Sequence, residues 1–84
     1  MQLTRLEIFE KLQEIMLTID DYDKEVIENC TEDTKLIDDL GLTSVGMLYL
    51  VIILEETFNI RFEGLTIDSI DTIRKVIDYI EGQL

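Results

Sequence analysis

The chain has no histidine, no proline and no tryptophan, a single cysteine, Cys30, and only 7 basic residues against 19 acidic ones. Without histidine, a Ser-His-Asp arrangement cannot be built and the usual general base near pH 7 is missing. The same absence, with one cysteine, excludes zinc sites of the usual Cys/His type and any intramolecular disulfide. Cys30 reads as a small, partly buried apolar residue rather than a reactive thiol. The shortage of bases leaves a net charge of −12, which repels a phosphate backbone and argues against nucleic acid or an anionic membrane surface as partner. Basic protein surfaces are the natural counterpart, although acidity that merely keeps a small domain soluble accounts for the charge equally well. Long apolar runs are lacking too: Val45 to Leu54 is about half of what a membrane span requires. The opening Met1 to Leu6 has neither the basic start nor the apolar core of a signal peptide, so a soluble, cytoplasmic protein is expected.

What is present fits one small domain, residues 1–84, in which 46% hydrophobic residues support a modest core. Leu6, Ile8, Phe9, Leu12, Ile15, Met16 and Ile19 recur at helical spacing, and Thr4 with Glu7 has capping-box spacing, which predicts a helix from Thr4 to about Ile19. From Asp20 to Asp39 the pattern breaks, and nine acids face only Lys24 and Lys35. This reads as a long surface connection with one helical turn around Lys24 to Glu28, its end pinned to the core by Leu36, Ile37 and Leu40. After Gly41, with Thr43 or Ser44 as cap, a second helix is expected to about Phe58. Met47, Leu50, Val51, Leu54 and Phe58 form its buried stripe, and Val45, Tyr49, Ile52 and Glu56 fall on the opposite side. Asn59 to Gly64 alternates but has no partner strand, so it reads as a connection. A short turn around Thr66 to Ser69 then leads to a last helix from Asp71, a candidate cap, to about Gln83. Its apolar stripe is Ile70, Ile73, Ile77, Ile80 and Leu84, with Val76 flanking. The expected fold is all-α, a small four-helix bundle of three main helices and one short one, without repeats or linkers.

The junction at Ser44 carries the most information. A hydroxyl placed where the acidic Asp38-Asp39-Leu40-Gly41-Leu42-Thr43 segment turns into the uncharged run Val45 to Leu54 stands at a helix start, where unpaired N–H groups and the dipole favour an anion. A phosphate ester on Ser44 suits that position. The apolar side chains of Val45, Tyr49 and Ile52 beside it form a patch of the kind that marks a contact surface, unless a loop or short helix covers it.

Other motifs carry less. An EF-hand loop starting at Asp21 has Glu32 at its twelfth position but Val26 where glycine is required, so Asp20 to Glu25 reads as a solvated acidic segment. Asp38-Asp39 and Glu55-Glu56 are neighbours in sequence with no reason to converge on one substrate. Lys24, Lys35, Arg61, Arg74 and Lys75 are scattered and read as surface charges. No catalytic and no metal-binding residue is assigned, and the chain is not expected to be an enzyme.

Leu36-Ile37-Asp38-Asp39-Leu40-Gly41-Leu42-Thr43-Ser44-Val45 resembles the attachment region of the acyl carrier protein family: an apolar pair, acids, Leu-Gly, then a serine. Leu54-Glu55-Glu56-Thr57-Phe58 is similar to the Leu-Glu-Glu-x-Phe segment that closes the family's second helix, and Ile77-Asp78-Tyr79-Ile80 to its terminal Ile-Asp-Tyr-Ile. The resemblance covers nearly the whole chain, loosely in the first helix and closely from Leu36 onward. It implies that a phosphopantetheinyl transferase attaches phosphopantetheine from coenzyme A to Ser44, and that the arm's thiol carries acyl groups as thioesters. The implied partners are acyl-loading, condensing and tailoring enzymes of fatty-acid-like or polyketide-like synthesis. It further implies that Leu50, Leu54, Phe62, Ile67 and Ile70 are candidates to line an acyl pocket, core packing being the other reading of the same residues.

The chain departs from the family at two places. Thr43 stands where the family has Asp and Val45 where it has Leu, so a charge that modifying enzymes commonly meet is missing. On the second helix, Gly46 and Tyr49 replace acids and Ile53 a small residue, with Glu55 and Glu56 matching at the far end. Docking through Asp39, Val45, Tyr49, Ile52, Glu55 and Glu56 is therefore expected to rest on shape and apolar contact more than on electrostatic steering. A stand-alone, monomeric carrier is the leading expectation. An aminoacyl carrier of the D-alanyl or peptidyl type, and an unmodified helical interaction module, are the alternatives.

Overall fold

A computed structural model describes residues 3–19, 24–64 and 66–84, apart from the side chain of Ile67. Its elements run α1 (Arg5–Thr18), α2 (Lys24–Glu28), α3 (Ser44–Phe58), a 3₁₀ turn (Ile67–Ile70) and α4 (Ile73–Gln83). The protein is all-α as expected, and no strand occurs among the described residues beyond an isolated bridge between Lys35 and Thr72.

Helix α1 begins as its sequence dictates. Thr4 Oγ1 accepts from Glu7 N at 3.1 Å, and Glu7 Oε1 accepts from Thr4 N at 3.0 Å, satisfying two N–H groups that the helix itself leaves unpaired. Ile8, Leu12, Ile15 and Met16 then share one face and are buried against α2, α3 and α4. Leu6, expected in the stripe, is 64% exposed, because a two-residue step from Ile8 carries it about 160° around the helix.

Helix α4 corrects its expected start. Thr72, not Asp71, is the cap, its hydroxyl accepting from Lys75 N at 3.2 Å, while Asp71 instead meets the Lys75 ammonium at 2.9 Å. Ile73, Val76, Ile77 and Ile80 fill the core, but Leu84 lies one residue past the helix and is exposed. The core closes on Leu36, Leu40 and Leu42 from the connection, on Met47, Leu50, Leu54 and Phe58 from α3, and on Ile60 and Ile70. Val51, expected beside them, is half-buried.

The acidic connection is fastened to the bundle. Arg5 pairs with Glu32 at 2.6 Å and Asp78 at 2.7 Å and also with Glu81, while Arg74 pairs with Glu32 and Asp33. Backbone bonds from Ile73 N to Thr34 O, Arg74 N to Glu32 O and Leu36 N to Asp71 O tie the same stretch to the head of α4. Arg74 is thus a tether between elements rather than an unattached surface charge. The carboxylates around Arg5, Glu32 foremost, hold its guanidinium even more firmly protonated than usual. Asp20 to Asp23, which include the start of the calcium-loop candidate at Asp21, lie outside the described residues.

Candidate functional site

The head of α3 is set by the turn before it. Residues 35–42 close on themselves through Leu40 N to Lys35 O, Gly41 N to Ile37 O and Leu42 N to Leu36 O, with Leu36, Leu40 and Leu42 buried as anchors. Gly41 adopts a φ of 79°, a left-handed conformation that costs glycine least. Asp39 Oδ2 accepts from Lys35 N at 2.8 Å, so this exposed docking candidate also braces the turn.

The cap of α3 is Thr43. Its hydroxyl accepts from Gly46 N at 3.0 Å and its carbonyl from Met47 N at 2.8 Å, which makes Ser44 the first helical residue. The hydroxyl at position 44 is therefore released from capping and stands exposed. The N–H groups of Ser44 and Val45 have no acceptor within the helix, and the first turn of α3 carries no acidic side chain. A phosphodiester on Ser44 fits here: two N–H groups and the positive end of a 15-residue helix favour its charge, and no carboxylate of that turn opposes it.

Ser44 also stands at a cleft of about 220 Å³ lined by Met47, Leu48, Val51, Phe62, Thr66 and Ile70. Two of the five pocket candidates, Phe62 and Ile70, are in this lining. Leu50 and Leu54 are not; both are 1% exposed and turned into the core. The reason is helical phase: positions 48 and 51 lie within about 40° of Ser44 around α3, whereas position 50 lies about 120° away. The side chain of Ile67 lies outside the described residues. Leu48 and Val51 were absent from the candidates, although their i+4 and i+7 spacing from Ser44 could have found them.

On the neighbouring face, Val45 is 75% exposed, Leu48 66%, Tyr49 56% and Ile52 53%, so no described element covers the patch. Leu48 joins this row to the cleft beside Ser44. Glu56 is exposed at its far end, but Glu55 is half-buried and accepts from Phe62 N at 2.9 Å, which engages it within the fold. Cys30 is half-buried beside Gln13, and burial pushes its thiol up, in keeping with a packing role. No helix among the described residues is long and apolar enough to cross a membrane.

A family model described as a phosphopantetheine attachment site matches residues 10–80. An acyl carrier protein of Thermotoga maritima is 33% identical over 84 residues, covering 96% of each chain. Those of Aster yellows witches'-broom phytoplasma, at 36% over 73 residues, and of Buchnera aphidicola, at 34% over 76, cover 87% and 90% of this chain and 92% and 91% of their own. Agreement of this extent, between chains of nearly the same size, leads to one conclusion: this chain belongs to the acyl carrier protein family, which bears a covalent phosphopantetheine group.

Proposed function

We propose that Ser44 is the residue that receives phosphopantetheine, and that the protein is a carrier acted on by partner enzymes rather than a catalyst. The observation that carries this reading is the position of the Ser44 hydroxyl, exposed at the first residue of α3 with Thr43 taking over the cap. When bound, the group supplies a thiol on a mobile arm at the head of α3, away from the half-buried Cys30, and an acyl chain is held there as a thioester. The chain's residues supply the rest: the head of α3 holds the phosphodiester charge, and the cleft offers an apolar surface beside it.

The cargo we infer is an apolar acyl group of fatty-acid-like or polyketide-like synthesis. Among the described residues the cleft lining has hydroxyls at Ser44 and Thr66 but no ionisable side chain, so nothing in it would pair with the ammonium of a D-alanyl or peptidyl group. Enzymes that dock on Val45, Leu48, Tyr49 and Ile52 would bury an apolar rim continuous with the cleft, with Glu56 at its edge. Asp39 and Glu55 are secondary in this reading, because each already serves a contact inside the protein.

The test is intact mass before and after incubation with coenzyme A and a broad-specificity phosphopantetheinyl transferase. The expected result is a gain of one phosphopantetheine, lost in Ser44→Ala. No gain with any transferase would return the chain to the class of unmodified interaction modules, and an undiminished gain in Ser44→Ala would move the attachment elsewhere.

A further inference from the structure

Phe62 walls the cleft at Ser44 from a connection, residues 59–64, that has no regular structure of its own. Such a segment is ordinarily a poor wall, because connections open and close more readily than the helices they join. Three contacts from the flanking helices converge on it. From α3, Glu55 Oε2 accepts from Phe62 N at 2.9 Å. From α4, the Tyr79 ring stacks on Phe62 with centroids 4.7 Å apart and planes 26° from parallel, and the Tyr79 hydroxyl donates to Arg61 O at 2.5 Å. The first is a charge-assisted bond to a backbone donor and the second a stacked aromatic pair, both stronger than ordinary surface contacts.

These contacts lie where they can govern the cleft. Glu55 is one turn beyond Val51, on the same face of α3 as Ser44, Leu48 and Val51, so it fastens Phe62 at the end of the cleft away from the serine. Tyr79, half-buried on α4, stacks on the ring and fixes the carbonyl of the preceding residue, Arg61. We propose that Glu55 and Tyr79 are positioning residues that hold Phe62 as the far wall of the cleft and so set how much of an acyl chain it shelters. This rests on the reading that Ser44 carries the arm. It gives Glu55, half-buried and engaged, a role inside the carrier instead of on its docking face.

The experiment uses the full chain loaded at Ser44 with butyryl or octanoyl phosphopantetheine, and follows cleavage of each thioester by hydroxylamine. Sheltering slows cleavage relative to the free acyl-pantetheine. In the wild type the octanoyl thioester is expected to be the better protected of the two. Glu55→Ala and Tyr79→Phe should each reduce that protection by roughly five-fold, the equilibrium change that one net hydrogen bond supports. Glu55→Gln keeps an oxygen that can accept from Phe62 N and should restore most of it, whereas a merely structural role for the side chain gives no reason for that rescue. Cleavage of the octanoyl thioester at the wild-type rate in both Glu55→Ala and Tyr79→Phe overturns the proposal. A chain that cannot be loaded at Ser44 at all overturns the attachment reading instead, so the two failures are told apart by mass before any cleavage is measured.

Discussion

Thr43 and Ser44 are adjacent hydroxyls, and the structure divides two jobs between them in a way that substitution can separate. Thr43→Ala removes the hydroxyl that accepts from Gly46 N at 3.0 Å but leaves the backbone bond from Met47 N to residue 43 intact. The loss is one side-chain cap, about 1 kcal/mol, against a total stability of roughly 5–15 kcal/mol for a small domain. For a chain of 84 residues that corresponds to a fall in Tm of about 4–8 °C. Ser44→Ala removes an exposed hydroxyl at the first helical position and substitutes a better helix former, so stability should stay within about 0.5 kcal/mol of wild type. Urea unfolding followed by far-ultraviolet circular dichroism reads both. The expected pattern is crossed: Thr43→Ala is less stable but still modified, while Ser44→Ala is as stable as wild type but unmodified. Equal losses in the two variants, or a larger loss in Ser44→Ala, would refute the reasoning, because the cap would then sit one residue later and the Ser44 hydroxyl would not be free.

Arg5→Ala breaks the contacts to Glu32, Asp78 and Glu81, and these partly exposed pairs are worth about 1 kcal/mol together; the loss should shrink at high salt, and an equal loss at low and high salt would argue against an ionic tether. Glu7 is held below the ordinary glutamate range first by the backbone N–H of Thr4 and then by its hydroxyl. A depressed folded-state value stabilises above the unfolded one, so the stability excess of wild type over Glu7→Gln should be full above about pH 5 and disappear as pH falls through the carboxylate range, whereas an excess that grows toward acid would have the wrong sign. Tyr49→Glu places a charge in the exposed row and should leave stability within about 0.5 kcal/mol while reducing acyl transfer with cognate enzymes; unchanged loading and transfer would remove the apolar face from the account.

Local chemistry was readable from the chain, and contacts between distant segments were not. The capping box at Thr4 and Glu7, the turn at Lys24 to Glu28 and the reach of α3 to Phe58 follow from spacing alone, because each depends on residues within a few positions. Caps are harder to place where two candidates stand together: Thr43 and Ser44 are both open as the cap of α3, and Asp71 reads as a candidate cap of α4 where the structure uses its neighbour Thr72. One position of phase decides such cases, and only the backbone fixes it. The tethers from Arg5 to Glu32 and from Arg74 to Asp33 join residues 27 and 41 positions apart, so the acidic connection looks longer in sequence than the fold requires. The cleft shows the same limit. Leu50 and Leu54 share the apolar stripe with Met47, but which edge of that stripe faces the core and which faces the cleft depends on how α3 is rolled against α1 and the 59–64 connection.

The central claim is that Ser44 itself bears the phosphopantetheine. Fragmentation mass spectrometry of the modified protein, with cleavage between Thr43 and Ser44, tests it most directly. The added mass is expected on fragments that contain Ser44 and not on those that end at Thr43. Placement on Thr43, or on any serine or threonine away from the head of α3, would contradict it.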